Sequence, residues 1–383
     1  MIYQKYLYNL DKFKNYISLL LFFCTTLDNY FIVEYDAAIL PIVSCVFFVL
    51  LNINLKRLKF ENNFYLVLLI LFLYNFFSIL KNFDSLFSKI SHFFLVFLFL
   101  ITIYQIQKSN LKFIIGMIKF TIILHSFFFF IQFLHYYITK EYLDYIKFFS
   151  SYESRYLMNY GSILPVRFSG LYAESGTFYS YIFTLFAIGF ILEKKLFFFI
   201  LFLIFFFLAV ISHSTFGFIL ALLVFIFILL KANKNKFFYL CNFLIIFFFI
   251  FFSSTSLIFN FTRLFQLTDK IAYLDVAQAD TLLSRFRVFY SYFNNIYFFI
   301  YGVKNETLLI AAEDSSLFFS AFIFGGFSLF LASLILFYKT FQNHNFFLVC
   351  VIFLAKLSWS YFFLWFALVA CVLKNTKINS QKK

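Results

Sequence analysis

Apolar stretches of roughly membrane-crossing length alternate with short polar clusters along almost the whole chain, and that alternation predicts a bundle of transmembrane helices. A crossing takes roughly 20 residues and must satisfy its own backbone inside the hydrocarbon. About twelve runs qualify, near 15–33, 37–54, 62–80, 90–106, 112–135, 175–192, 196–211, 214–230, 237–255, 316–338, 346–357 and 359–373. The last pair is short enough to be one tilted or broken helix. A β-barrel would show alternating strands of about ten residues, whereas 197–211 reads FFFILFLIFFFLAVI and is apolar on every face. The expected fold is therefore all-α: a single polytopic membrane domain over residues 1–383.

Composition strengthens this picture. Hydrophobic residues make up 64% of the 383 positions and charged residues only 13%, with 72 phenylalanines, far more apolar surface than a soluble core can use. With 9 Gly and 2 Pro, collagen-like and Pro/Gly-rich disordered chains are excluded. Cys24, Cys45, Cys241, Cys350 and Cys371 lie in or near apolar runs without metal-ligand spacing, so packing is their expected role. The first apolar run is followed by Asp28, Glu34 and Asp36 with no small-residue cleavage pattern, so it is expected to be retained.

Charge sets the expected orientation, because lysine and arginine stay on the cytoplasmic side of short loops. A cytoplasmic N-terminus puts 18 of the 31 basic residues inside, among them Lys12, Lys14, Lys56, Arg57, Lys108, Lys194, Lys195 and Lys339, with the lysine-rich C-terminal tail. Acidic residues sort oppositely: Asp11, Glu61 and Glu193 are inside and the other 14 outside. An even number of spans then places both termini in the cytoplasm. The net charge of +14 is dispersed over these turns, so topology accounts for it and no nucleic-acid partner is implied.

Polar sequence on the outer side collects in two loops, about 136–174 and 256–315, and these are where chemistry can reside. Arg167 lies seven positions before Glu174 and near Gly170 and Gly176, which allow a sharp turn or close ligand approach. Arg285 and Arg287 share a side if extended and diverge on a helix. A guanidinium fork matches phosphate oxygens bidentately, which suits a lipid pyrophosphate; head-group snorkelling is the alternative. Glu174, Glu313 and Asp314 open or precede apolar helices, where an anion is steadied and where capping is the simpler role. His213 sits in a tight turn with Ser212, Ser214 and Thr215. No two histidines have metal spacing, so no metal and no cofactor are expected. Lys119 and Gln132, lone polar residues inside spans, are most simply interhelical hydrogen-bond partners.

The segment Arg167-Phe168-Ser169-Gly170-Leu171-Tyr172-Ala173-Glu174-Ser175-Gly176, leading into an apolar helix, resembles the arginine, glycine and glutamate signature before a mid-chain span in bacterial O-antigen polymerases and the related O-antigen ligases. Looser matches follow in order. His213-Ser214-Thr215-Phe216-Gly217 opens the eighth span, the loop with Arg285 and Arg287 closes on Tyr301-Gly302-Val303, and Asp314-Ser315-Ser316 precedes a helix with Gly325-Gly326. The likeness covers roughly residues 60–340.

The resemblance implies a metal-independent glycosyltransferase of the bacterial inner membrane, acting at the periplasmic face on undecaprenyl-pyrophosphate-linked oligosaccharides. Arg167, Gly170, Tyr172, Arg285 and Arg287 would form the substrate-binding side, and Glu174, with Asp314 or His213 as substitutes, the catalytic base. Membrane lipids and a chain-length regulator would be its partners. Ligases of this superfamily often carry a histidine late in the second outer loop; here 303–316 has Glu306, Glu313 and Asp314 but no histidine, which favours the polymerase. A lipid-linked oligosaccharide flippase should show half-chain repeats and polar residues through several spans, and no convincing repeat is present.

Overall fold

The computed structural model describes residues 2–27, 39–54, 60–81, 86–145, 147, 166, 168–172, 174–193, 196–211, 214–231, 237–244, 296–302, 316–340, 347–349, 351–352, 355, 357 and 361–380. Within these residues the protein is all-helical, without a strand. The main helices are α1 (Ile2–Thr25), α2 (Ile39–Asn52), α3 (Asn62–Lys81), α4 (Leu86–Ser109), α5 (Leu111–Thr139), α6 (Ser175–Glu193), α7 (Leu196–Ile211), α8 (Thr215–Lys231), α9 (Ile296–Tyr301), α10 (Leu317–Thr340) and α11 (Phe362–Ser380). By length and composition alone five segments could cross a membrane, Asn62–Leu80, Leu86–Ser109, Leu111–Thr139, Ser175–Glu193 and Ser320–Thr340, the last of them interrupted at Gly326. This is the architecture expected of a membrane-embedded protein.

α6 is the central post. Every residue from Ser175 to Leu192 is buried, and α5, α7, α8 and α11 pack around it. Two glycines explain how closely its neighbours approach. A Cβ on Gly189 would lie 2.2 Å from the Phe198 ring of α7, and one on Gly217 of α8 would lie 2.7 Å from the Tyr179 ring of α6. Small residues at such crossings let backbones meet and so drive packing where lipid offers no hydrophobic gain. Lys119 of α5 and Glu193 of α6 form an ion pair at 2.6 Å, with the ammonium also over the Phe197 and Phe198 rings. For Lys119 the expected interhelical role holds.

One end of the bundle is tied by short polar links. Ser18 of α1 bonds Asn52 of α2, Asn54 exchanges two hydrogen bonds with Gln105 of α4, and Gln107 donates to the Ala370 carbonyl of α11. Lys108 and Glu61 meet there at 3.8 Å, an exposed pair of little energetic weight. The first run is expected at 15–33, but α1 begins at Ile2 and its residues 12–16 are exposed, so the helix starts well before entering the bundle near Ser18.

Two apolar runs take paths that length alone does not predict. α10 is interrupted at Gly326 (φ 60, ψ −152). The hydroxyl of Tyr74 on α3 donates to the Leu317 carbonyl (3.1 Å) and accepts from Ser333 (3.4 Å), groups that a straight helix would hold about 24 Å apart. Phe322 and Phe330 stack across the break at 4.5 Å. α10 is thus a folded-back pair of short helices rather than the continuous crossing expected at 316–338.

The short runs at 346–357 and 359–373, expected as two spans or as one tilted or broken helix, do not appear as two full crossings among the described residues. Phe362 lies beside His92 and Phe99 of α4, while Ala370 lies beside Gln107 at the end of that helix. The apolar part of α11, Phe362–Cys371, covers about 15 Å, half the hydrocarbon. Preceding it, the Leu357 amide donates to the Ala355 carbonyl, and both residues are buried in protein, a setting in which irregular backbone is tolerated in membrane proteins.

Candidate functional site

The described residues between Phe168 and Glu174 lead into the head of α6, and their path follows from a single stripe on α5. His125, Phe129, Gln132 and Tyr136 are spaced four, three and four residues apart, which puts them on one helix face. That face receives the segment. Phe129 stacks on Phe178 at 4.8 Å and meets Phe168 edge-on. Phe168 is itself buried among Phe133, Tyr136, Tyr137 and Tyr142. Burying an aromatic ring of this size is worth a few kcal/mol, enough to anchor the returning chain.

Gly170 has φ +57 and turns the chain, and the left-handed conformation is the reason for glycine at this position. The side-chain oxygen of Gln132 accepts from the Ser169 and Gly170 amides at 3.0 and 2.9 Å, and its nitrogen donates to the Leu143 carbonyl at 2.8 Å. Tyr142 and Ser169 share a hydroxyl contact at 3.1 Å. Contrary to the expectation of an interhelical role, Gln132 therefore bonds loop backbone. Two turns deeper, Tyr172 donates to the Thr26 carbonyl at 2.9 Å, and Thr26 donates to the Phe23 carbonyl at 2.6 Å. With both hydroxyl protons committed, His125 Nε2, 2.9 Å from Thr26 Oγ1 and 3.2 Å from the Tyr172 oxygen, must be the donor. Nδ1 then carries the lone pair, buried and without a hydrogen-bond partner among the described residues.

Of the residues singled out from the sequence, Gly170, Tyr172 and Glu174 fall among the described residues, on one short stretch of chain. Tyr172, expected on the substrate side, is fully buried and acts as an internal anchor. Glu174 is partly exposed, and its carbonyl accepts from the Phe178 amide, which makes it the residue on which α6 starts. Its carboxylate thus belongs to the positive end of an apolar helix. Beside the first loop, burial pushes the Tyr145 phenol up to about 12, so its proton stays on the hydrogen bond to Phe128.

Arg167, His213, Arg285, Arg287 and Asp314 lie outside the described residues, but their chain neighbours are well placed. Ser214 caps α8 through its hydroxyl on the Gly217 amide, and Gly217 touches Tyr179, so α8 begins next to the first turn of α6. The Ser/Thr-Gly element after His213 is accounted for by capping and close packing. Gly302 (φ +78) packs against the backbone of Ile323 and Phe324, two residues from the Gly325–Gly326 break. The short helix α9 is thereby fastened to α10. Among the described residues no cluster of His, Cys, Asp or Glu could hold a metal ion.

Sequence reasoning passed over Thr26, His125 and the loop-binding role of Gln132. The available signal was the seven-residue spacing of His125 and Gln132, which places two polar groups on one face of an otherwise apolar helix.

The fold and the geometry define a membrane-embedded helical protein with a polar segment seated at the head of its most enclosed helix. Comparison with family models, curated proteins and solved structures gives no match to the chain.

Proposed function

We propose that the chain is a polymerase of undecaprenyl-pyrophosphate-linked oligosaccharide repeat units, working at the periplasmic face of the bacterial inner membrane with both termini in the cytoplasm. The observation that supports this reading is the tethering of Ser169, Gly170 and Tyr172 to α5 and the end of α1, with a left-handed glycine in the turn and Glu174 at the head of a buried helix. A reaction between two lipid carriers needs a carboxylate and phosphate-binding groups at the membrane surface, and Glu174 would supply the first, seven residues along the chain from Arg167.

In this reaction the acceptor hydroxyl, on the non-reducing end of one carrier's repeat unit, gives its proton to Glu174. Its oxygen bonds to the anomeric carbon of the growing chain on the second carrier as the bond from that carbon to the pyrophosphate oxygen breaks. Undecaprenyl pyrophosphate leaves. Arg167, with Arg285 or Arg287, offsets the charge that develops on it, the electrostatic contribution that usually dominates such catalysis. Asp314 and His213 are the alternative bases. No cofactor takes part, and membrane lipids and a chain-length regulator are the proposed partners.

Deleting the gene and analysing surface glycan tests the assignment. Single repeat units capped on lipid A are expected. Polymer retained on its lipid carrier would indicate a ligase, and internal accumulation of lipid-linked units would indicate a flippase.

A further inference from the structure

Gln132 is buried in the middle of an apolar helix stripe, at 1% exposure, yet its close hydrogen bonds all go to loop backbone. Resting on the function proposed above, we infer that Gln132 is a positioning residue for the transfer reaction: it sets where Glu174 stands relative to the acceptor hydroxyl.

The two halves of the amide explain the residue type. The oxygen takes two consecutive N–H groups at the Gly170 turn, and the nitrogen donates to the Leu143 carbonyl on the opposite arm of the loop. Leu143 belongs to the arm leaving α5, and Ser169 and Gly170 belong to the arm returning to α6. One side chain therefore draws both ends of the first outer loop to a single point. An ionised glutamate could accept but not donate, and leucine could do neither. From Gly170 the chain has four residues to reach Glu174, and Tyr172 midway is tied to Thr26 and His125. The chain is thus held at two points, Gly170 and Tyr172, on its approach to Glu174. Small misplacements matter here, since an error of about 1 Å in a reacting group costs on the order of a hundredfold in rate.

The test uses the full-length protein, wild type and Gln132→Leu, in lipid vesicles. Three quantities are read: the unfolding midpoint, amide exchange at Ser169 and Gly170, and kcat and KM for elongation of lipid-linked repeat units. Expected for Gln132→Leu are faster exchange at both amides and a kcat lowered by about tenfold or more. The unfolding midpoint is expected to fall as well, since two buried amides lose their acceptor, so kcat is compared at a temperature where each variant remains folded. The same tenfold drop should be recovered in part in Gln132→Glu. Wild-type kcat in Gln132→Leu despite faster exchange would overturn the positioning role alone. Absence of elongation by the wild-type protein would overturn the proposed function and this inference with it.

Discussion

Arg167→Ala and Arg285→Ala are each expected to reduce glycan elongation by about a hundredfold or more, with insertion into the membrane unchanged. In each case the effect would come from the leaving pyrophosphate. Two planar N–H donors match two phosphate oxygens, whereas lysine presents a single point charge. Arg167→Lys should therefore recover only part of the activity. Phe168, its chain neighbour, is buried in an aromatic nest that fixes where the segment surfaces. The check is polymer length in cells carrying normal levels of each variant. Unchanged length in either alanine variant would contradict the phosphate role.

Gly302→Val is expected to destabilise the fold itself. At φ +78 a β-branched residue is strained, and its Cβ would stand 2.4 Å from the Ile323 carbonyl oxygen, which is backbone and cannot rotate away. Left-handed strain costs about 1–2 kcal/mol and overpacking about 1–3 kcal/mol. Together these approach a large fraction of the roughly 5–15 kcal/mol that holds a domain folded. Thermal unfolding in detergent should show a clearly lowered midpoint and loss of the protein at growth temperature. A wild-type midpoint would mean that the contact between Gly302 and α10 is not part of the stable fold.

Most of the helices were legible as uninterrupted apolar runs: the expected 62–80, 175–192, 196–211 and 214–230 differ from α3, α6, α7 and α8 by a residue at most at either end. Periodicity could not show what lies within a run. Gly325-Gly326 reads as a tolerated pair in a membrane helix, because neighbouring elements often satisfy the freed backbone, yet the chain folds back there. The ends of α1 and α11 were misjudged for a related reason. Hydropathy sees the hydrocarbon boundary, while hydrogen bonding carries α1 back to Ile2 and lets α11 begin in mid-bundle. At the site, the turn at Gly170 was predictable from the glycine, and Glu174 from its place before an apolar helix. The partners of Gln132 and His125 were not, because a hydrogen bond between distant parts of the chain leaves no trace in local pattern.

The most direct test of the proposed activity is reconstitution of the purified protein in vesicles with undecaprenyl-pyrophosphate-linked repeat units on the face exposed to the two large loops. The expected result is lipid-linked chains of two or more repeats, with one undecaprenyl pyrophosphate released for each linkage formed. Repeat units recovered unextended, or moved intact to the opposite leaflet, would contradict it.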